Sequence, residues 1–270
     1  MQRKSSFFQQ HLRHIPALAR QRWLLSVDGF VTQHLTVNYD TLRQLPHTSY
    51  TAAIACVGHT PEAPLLAEAT WRGVPLAWVL DEVRPTAEAK FVCFYSADGY
   101  ATSFAAGALA DAMLAYEMDG EPLPREHGWP LRLIVPGRSG YKLPKWITRV
   151  VFSEAPVDGF WEQRGWHTEG IAPLLATVDA ARVRATFGES VQLTGAAYGQ
   201  REEMWVEVSI DGSAWTRVAA ARPQASALLR WQVDWTPPAP GVYAVKARTR
   251  TSEAVQAEAT QPTMLVEVTV

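Results

Sequence analysis

The sequence predicts an α+β domain over residues 1–168 followed by an all-β, immunoglobulin-like sandwich over residues 169–270. Three observations predict it. A chain of 270 residues fits one large domain or two modest ones. Its first two-thirds interleave alternating apolar runs with a helical apolar period, and the interleaving is too irregular for a βαβ repeat. After about residue 170 the helical period disappears, and seven short strand-like runs follow at even spacing, punctuated by glycine and proline.

In chain order, Trp23–Gly29 reads as a strand entering a turn, and Leu35–Val37 resumes the alternation, so the two form a hairpin. Tyr50–Cys56 alternates again. Pro75 opens a helix in which Leu76, Val79, Leu80 and Val83 share one face. Phe91–Tyr95 is a short apolar strand ending near Asp98-Gly99. Met113–Met118 and Leu131–Val135 are strands separated by the turn-rich run Asp119-Gly-Glu-Pro-Leu-Pro124. The later strands are Arg182–Phe187, Val191–Ala196, Met204–Ile210, Trp215–Ala219, Leu228–Trp235, Val242–Arg248 and Met264–Val270, and the boundary falls near Gly165–Pro173.

Composition excludes several classes. Apolar residues are 47% and charged residues 19% of the chain, enough for a core and too few charges for a disordered segment. Lys and Arg number 25 against 27 Asp and Glu, with no block of like charge, so neither nucleic acid nor a membrane surface is an expected partner. No apolar run is long enough for a membrane helix or a secretory signal. The chain as written is therefore expected in the cytoplasm, or in the periplasm where an export signal has been removed. Cys56 and Cys93 are too few for a disulfide scaffold and too far apart for the usual cysteine-pair zinc sites.

The common catalytic signatures are absent: no GxSxG, HExxH, GxxxxGK[ST] or GxGxxG is present. One segment, residues 121–146, gathers His127, Arg132, Arg138, Lys142 and Lys145 between prolines and glycines. From composition alone it reads as a solvated basic loop; a rigid loop of donors also suits a phosphate-bearing ligand. Cys56 ends a strand before the turn-like Val57-Gly-His-Thr-Pro61, which places it to point into a site, although a lone cysteine is more often a small buried hydrophobe. A Cys56–His59 nucleophile pair has no support beyond proximity.

The run Met113-Leu-Ala-Tyr-Glu-Met-Asp-Gly-Glu-Pro-Leu-Pro-Arg-Glu-His-Gly-Trp-Pro-Leu-Arg-Leu-Ile-Val-Pro-Gly137 resembles the molybdopterin-binding core of the sulfite oxidase family. Phe7-Phe8, Leu25-Ser-Val-Asp-Gly29, Cys56-x-Gly58 and Trp71-Arg-Gly-Val-Pro-Leu76 follow the family's order upstream. Val206-Glu-Val-Ser-Ile-Asp-Gly212 and Gln261-Pro262 resemble its second, immunoglobulin-like dimerisation domain. The resemblance implies a molybdenum–molybdopterin cofactor with Cys56 as the protein's thiolate ligand to the metal, a soft donor suited to it. It implies cofactor contacts from Phe8, His11, Asp98, His127, Arg132, Lys142, Leu143, Pro144 and Lys145. It also implies oxygen-atom transfer to or from a small oxyanion, an external electron acceptor such as a cytochrome, and a homodimer. The sequence contains no CxxCH motif, so no haem is expected in it.

Departures from the family's pattern cluster around the substrate. Where sulfite-oxidising members read Cys-Ala-Gly-Asn-Arg-Arg, this chain reads Cys56-Val-Gly-His-Thr-Pro61, and an amino-terminal arginine is also replaced. Trp166 stands in place of the family's active-site tyrosine. Arg201 keeps a position from which the family reaches the pocket, so the catalytic candidates are Arg201, Trp166 and His59. Arginine forks are the usual holders of compact dianions. Their loss leaves sulfite or a related oxide as substrate, with a sulfoxide- or oxide-reducing enzyme, or a relative impaired in sulfite turnover, as alternatives.

Overall fold

A computed structural model describes residues 7–12, 14–60, 63–199, 203–221 and 228–270, the side chains of Ala220 and Ala221 excepted. The chain divides into two compact units, Met1–Ile54 with Ala67–Ile171, and Ala55–Leu66 with Ala172–Val270.

In the first unit, β1 (Leu24–Gly29) and β2 (Leu35–Asn38) form the expected antiparallel hairpin, with Leu25 opposite Val37. Asn38 then caps the one-turn helix α1 (Tyr39–Leu42), its side chain accepting from the Thr41 N–H at 2.9 Å. Next come β3 (Thr48–Ala55), β4 (Leu66–Pro75) and α2 (Leu76–Val83). The apolar period of α2 buries Leu76, Val79 and Val83, and Arg84 ends the helix in the left-handed region with its N–H on the Leu80 carbonyl. The remaining strands are β5 (Phe91–Ser96), β6 (Ala101–Ala105), β7 (Met113–Met118), β8 (Glu121–Pro122), β9 (Arg132–Ile134) and β10 (Ile147–Ser153).

These strands build two sheets, β2-β1-β10-β5-β6 and β3-β4-β7-β8, with β9 paired to β7. The β1–β10 pairing is parallel. One core joins the sheets, with Leu25, Val27, Val92, Phe94, Val150 and Phe152 from the first and Trp71, Val74, Leu114 and Tyr116 from the second. Each fully buried aliphatic or aromatic side chain contributes roughly 1.5–3 kcal/mol relative to exposure. The expectation of an α+β domain is corrected toward β: among the described residues α1 and α2 are the only α-helices, both short, and the other helical turns are 3-10.

The second unit is two sheets around one core. β11 (Leu175–Val178), β13 (Val191–Tyr198) and β16 (Leu229–Trp235) form one. β12 (Arg182–Thr186), β18 (Thr263–Thr269), β17 (Gly241–Arg250), β14 (Met204–Ile210) and β15 (Thr216–Ala221) form the other, in that order. Leu193 and Trp231 from the first sheet pack with Val206, Val245 and Val266 from the second. Among the described residues, no helix is long and apolar enough to cross a membrane.

Candidate cofactor cradle

The segment that links β8 to β10 folds back on itself at Gly128. A 3-10 turn, Arg125–His127, ends there at φ 112°, a conformation that favours glycine. A Cβ at Gly128 would also lie 3.0 Å from the Cβ atoms of both Arg132 and Lys145. Glycine thus lets His127, Arg132 and Lys145 gather on one short stretch of backbone. A bridge between Arg132 and Lys145, with the Leu133 N–H on the Pro144 carbonyl at 2.9 Å, fixes the two arms.

The donors in this cradle are desolvated and incompletely partnered. Arg132 is buried, with its guanidinium 4.8 Å from the Trp71 ring, and one terminal N–H donates to the His127 carbonyl at 3.0 Å. Its Nε has no partner among the described residues. Burial pulls its pKa down to about 9. His127 is buried against Phe7, ring centroids 5.4 Å apart, and its Nε2 likewise has no partner among the described residues. Burial, then the Arg132 charge, holds its pKa at about 4, so the ring is neutral at neutral pH.

Lys145 is half-buried, and among the described residues its ammonium donates to the carbonyls of Gln10 and Glu126, at 2.9 and 2.8 Å. Burial, then Arg132, lowers its pKa to about 7. Among the described residues neither Arg132 nor Lys145 forms an ion pair. Unpaired buried cations are costly, and an anion would match this pair. The donor set fits the phosphate and ring nitrogens of a pterin phosphate.

The other expected contacts are distributed around this cradle. Buried Asp98 lies in the turn between β5 and β6, accepting from the Tyr100 N–H at 3.1 Å, and the Ala97 N–H on the Trp146 carbonyl ties that turn to the cradle loop. Leu143 and Pro144 are buried beside Lys145. Phe8 is half-buried and stacked on Phe7; His11 is exposed. Phe7 and Trp71, which line the cradle under His127 and Arg132, stand in segments that follow the family's order, but neither is among the expected site residues.

Lys142 is a correction. Its ammonium is 1% exposed and places all three protons inside the protein, on Glu162 (2.8 Å), the Thr102 hydroxyl (2.6 Å) and the Ser103 carbonyl (2.7 Å), leaving none for a cofactor. Trp166 stands in a half-buried aromatic group, stacked on Trp161 at 4.3 Å and edge-on to Tyr141 at 5.0 Å. Arg201 lies outside the described residues.

Cys56 and His59 belong to the segment between β3 and β4. Cys56 falls one residue beyond β3 and is a half-buried free thiol, whose N–H donates to the Leu65 carbonyl at 2.9 Å. His59 is buried; its N–H donates to the Cys56 carbonyl at 3.0 Å, and its Nδ1 accepts from the Leu65 N–H at 3.2 Å. That bond places the ring proton on Nε2, which has no partner among the described residues. Cys93, by contrast, is fully buried in β5, where burial pushes its thiol pKa up. No group of three or more His, Cys, Asp or Glu among the described residues could hold a metal by itself.

Comparison with known proteins agrees with this chemistry. The family described as "Oxidoreductase molybdopterin binding domain" matches residues 11–161. Mitochondrial sulfite oxidase of Drosophila melanogaster is 33% identical over 193 residues, 62% of this chain and 33% of that protein. The NADPH nitrate reductase of Aspergillus niger is 27% identical over 248 residues, 72% of this chain and 29% of that protein. The chain thus spans about a third or less of these curated relatives. The crystal structure of the sulfane dehydrogenase SoxCD from Paracoccus pantotrophus matches with a TM-score of 0.82 at 21% identity, over 98% of this chain and 82% of that one, a likeness of fold. Because the family match covers more than half of the 270 residues and contains His127, Arg132 and Lys145, the chain belongs to the sulfite oxidase family of molybdopterin-binding oxidoreductases.

Proposed function

We propose that the protein is a molybdenum oxidoreductase that transfers an oxygen atom to or from a small oxyanion or oxide, with electrons passing to an external acceptor such as a cytochrome. The observation that carries this reading is the cradle itself: buried Arg132 and His127 with nitrogens that have no partner among the described residues, beside Lys145, which forms no ion pair among them. In this reading Arg132 and Lys145 hold the phosphate end of the pterin. His127 contributes a neutral hydrogen bond, Asp98 accepts from the pterin ring, and Leu143, Pro144, Phe8 and His11 border it. Cys56 supplies the thiolate to the metal. When bound, the cofactor supplies a two-electron redox change at a soft metal centre.

The substrate class follows from charge. Residues 57–60 contain no arginine, and buried His59, its Nδ1 engaged by Leu65, offers one N–H instead of a guanidinium fork. That furnishing suits a weakly charged oxide better than a compact dianion, since each lost charge-assisted contact costs about 1.5–3 kcal/mol. The same feature favours a second reading, reduction of a neutral oxide. The second unit is proposed to pair two copies of the chain as an immunoglobulin-like dimerisation module, in keeping with its family resemblance.

The test is molybdenum and pterin content together with sulfite-dependent reduction of cytochrome or ferricyanide, on one purified sample. Cofactor with slow sulfite turnover supports the oxide reading. Fast turnover overturns the substrate argument, and a chain that carries no molybdenum from a cofactor-making host overturns the cradle assignment. Cys56→Ser is expected to abolish turnover while the circular dichroism spectrum stays that of the parent; full activity in that variant would remove Cys56 as the ligand.

A further inference from the structure

Lys142 takes no part in the contacts assigned above, and we infer that it is a positioning residue: with Glu162 and Thr102 it forms a buried clamp that sets the two arms of the cradle, the Asp98 turn and the Lys145 loop, before any cofactor arrives. The inference rests on the molybdopterin reading of that cradle.

The lysine end of the clamp is fully bonded, while Glu162 Oε2 has no partner among the described residues. Lys142 Nζ reaches Thr102 Oγ1 at 2.6 Å, the Ser103 carbonyl at 2.7 Å and Glu162 Oε1 at 2.8 Å, while the Thr102 hydroxyl donates to that same Glu162 oxygen at 2.6 Å. Both charged side chains are 1% exposed. The stem of Lys142 runs over Gly170, where a Cβ would fall 2.0 Å from Lys142 Cγ and φ is +60°. Only glycine lets the lysine pass at that point.

What the clamp joins makes it more than a core ion pair. Thr102 lies on β6 four residues after Asp98, and between them the Tyr100 hydroxyl donates to the Tyr141 carbonyl on the cradle loop. Lys142 stands three residues before Lys145, a span of at most about 11 Å of extended chain, so slack at one is passed to the other. Across the cradle, Arg132 and Lys145 stand on bridged residues, and the Arg132 charge disfavours the charged form of Lys145. The clamp anchors the far end of that loop to β6. An apolar pair could fill the same volume at similar stability, but it would lack the directional bonds that fix the register of β6 against the loop.

The experiment compares the parent chain with Lys142→Met/Glu162→Leu, Thr102→Val and Thr102→Ser, all purified from a host that makes molybdopterin. Melting and circular dichroism report the fold; fluorescence of the extracted, oxidised pterin reports content and release rate. The double variant is expected to melt near the parent while releasing pterin about tenfold faster. Thr102→Val should follow with about a threefold effect, and Thr102→Ser, which keeps the hydroxyl, should behave as the parent. Parent-like pterin retention in the folded double variant and in Thr102→Val overturns the clamp and leaves the cofactor reading standing. Where the double variant does not fold, the Thr102 pair decides alone. A parent chain that holds no pterin overturns both.

Discussion

Lys142 and Lys145 stand three residues apart on one loop, both are withdrawn from water, and they end in opposite surroundings. Burial lowers the pKa of each as the first cause. Lys142 then meets a carboxylate, a hydroxyl and a carbonyl. Lys145 meets two carbonyls and the positive charge of Arg132. Burial alone therefore does not mark a ligand site. A desolvated cation whose charge is matched is part of the frame; one that faces a second cation is matched only when an anion arrives.

The largest effect should come from breaking the matched half of this comparison. Lys142→Met leaves Glu162 buried without its partner, which is expected to cost about 3–5 kcal/mol and to shift the urea midpoint of the cofactor-free chain accordingly. Arg132→Met should do the reverse. It removes a buried cation that has no ion-pair partner among the described residues, so the cofactor-free chain should melt at or above the parent temperature. Pterin binding should weaken by about 1.5–3 kcal/mol, read from the pterin retained through dialysis. A variant that lost stability without losing pterin would place Arg132 in the frame with Lys142.

The third prediction follows the proton on Lys145. Its pKa is about 7 in the fold against an ordinary 10.5. Between those values the unfolded chain binds more protons, so in the cofactor-free protein this lysine makes stability rise with pH from about 7 to 10.5. A bound phosphate dianion reverses the preference and keeps the ammonium charged, so binding above about pH 7 takes up a proton. Pterin affinity should therefore fall as pH climbs past about 7, by at most about tenfold per pH unit for one proton. His127 titrates below this window, at about 4, but Arg132, lowered by burial to about 9, loses its proton within it, so the Lys145 contribution is read at the lower end of the range. Release rates measured across this range should show the dependence in the parent. Lys145→Arg, charged throughout, should flatten it; an unchanged slope in that variant would assign the proton elsewhere.

The sequence disclosed much of this frame and little of the difference within it. Alternation marked β1, β2 and β14, apolar runs marked β5 and β7, and a clear helical period marked α2. Five strands escaped, β8 because it is only the two residues Glu121–Pro122 inside a turn-rich run, and the other four for reasons of their own. In β4 the inward positions include Ala67 and Ala69, too small to register as an apolar face. In β10 a register shift between Ile147 and Arg149 breaks the alternation. In β6 the buried residues Thr102, Ser103 and Phe104 are consecutive and two of them are polar, the Thr102 hydroxyl receiving Lys142 and the Ser103 hydroxyl bonding to the Val157 backbone. β11 is four residues long. The density of basic residues around His127, Arg132 and Lys145 was legible, but Lys142 and Lys145 look alike in the sequence. What separates them, Thr102 and Glu162, lies 40 and 20 residues away and is brought near only by the fold.

The smallest predicted effect tests whether distance or surroundings decides what a charge pair is worth. Arg182 and Glu267 in the second unit approach to 2.6 Å, closer than the 2.8 Å of Lys142 and Glu162, but Arg182 is 68% exposed and Glu267 34%. Water screens such a pair, and holding two long side chains together costs entropy. Arg182→Ala should therefore change stability by no more than about 1 kcal/mol, and by less in high salt. A loss near that of Lys142→Met would mean that contact distance sets the scale. The expected contrast, a small cost at the shorter contact and a large one at the longer, would locate the difference in solvent, which is the same distinction that separates the clamp from the cradle.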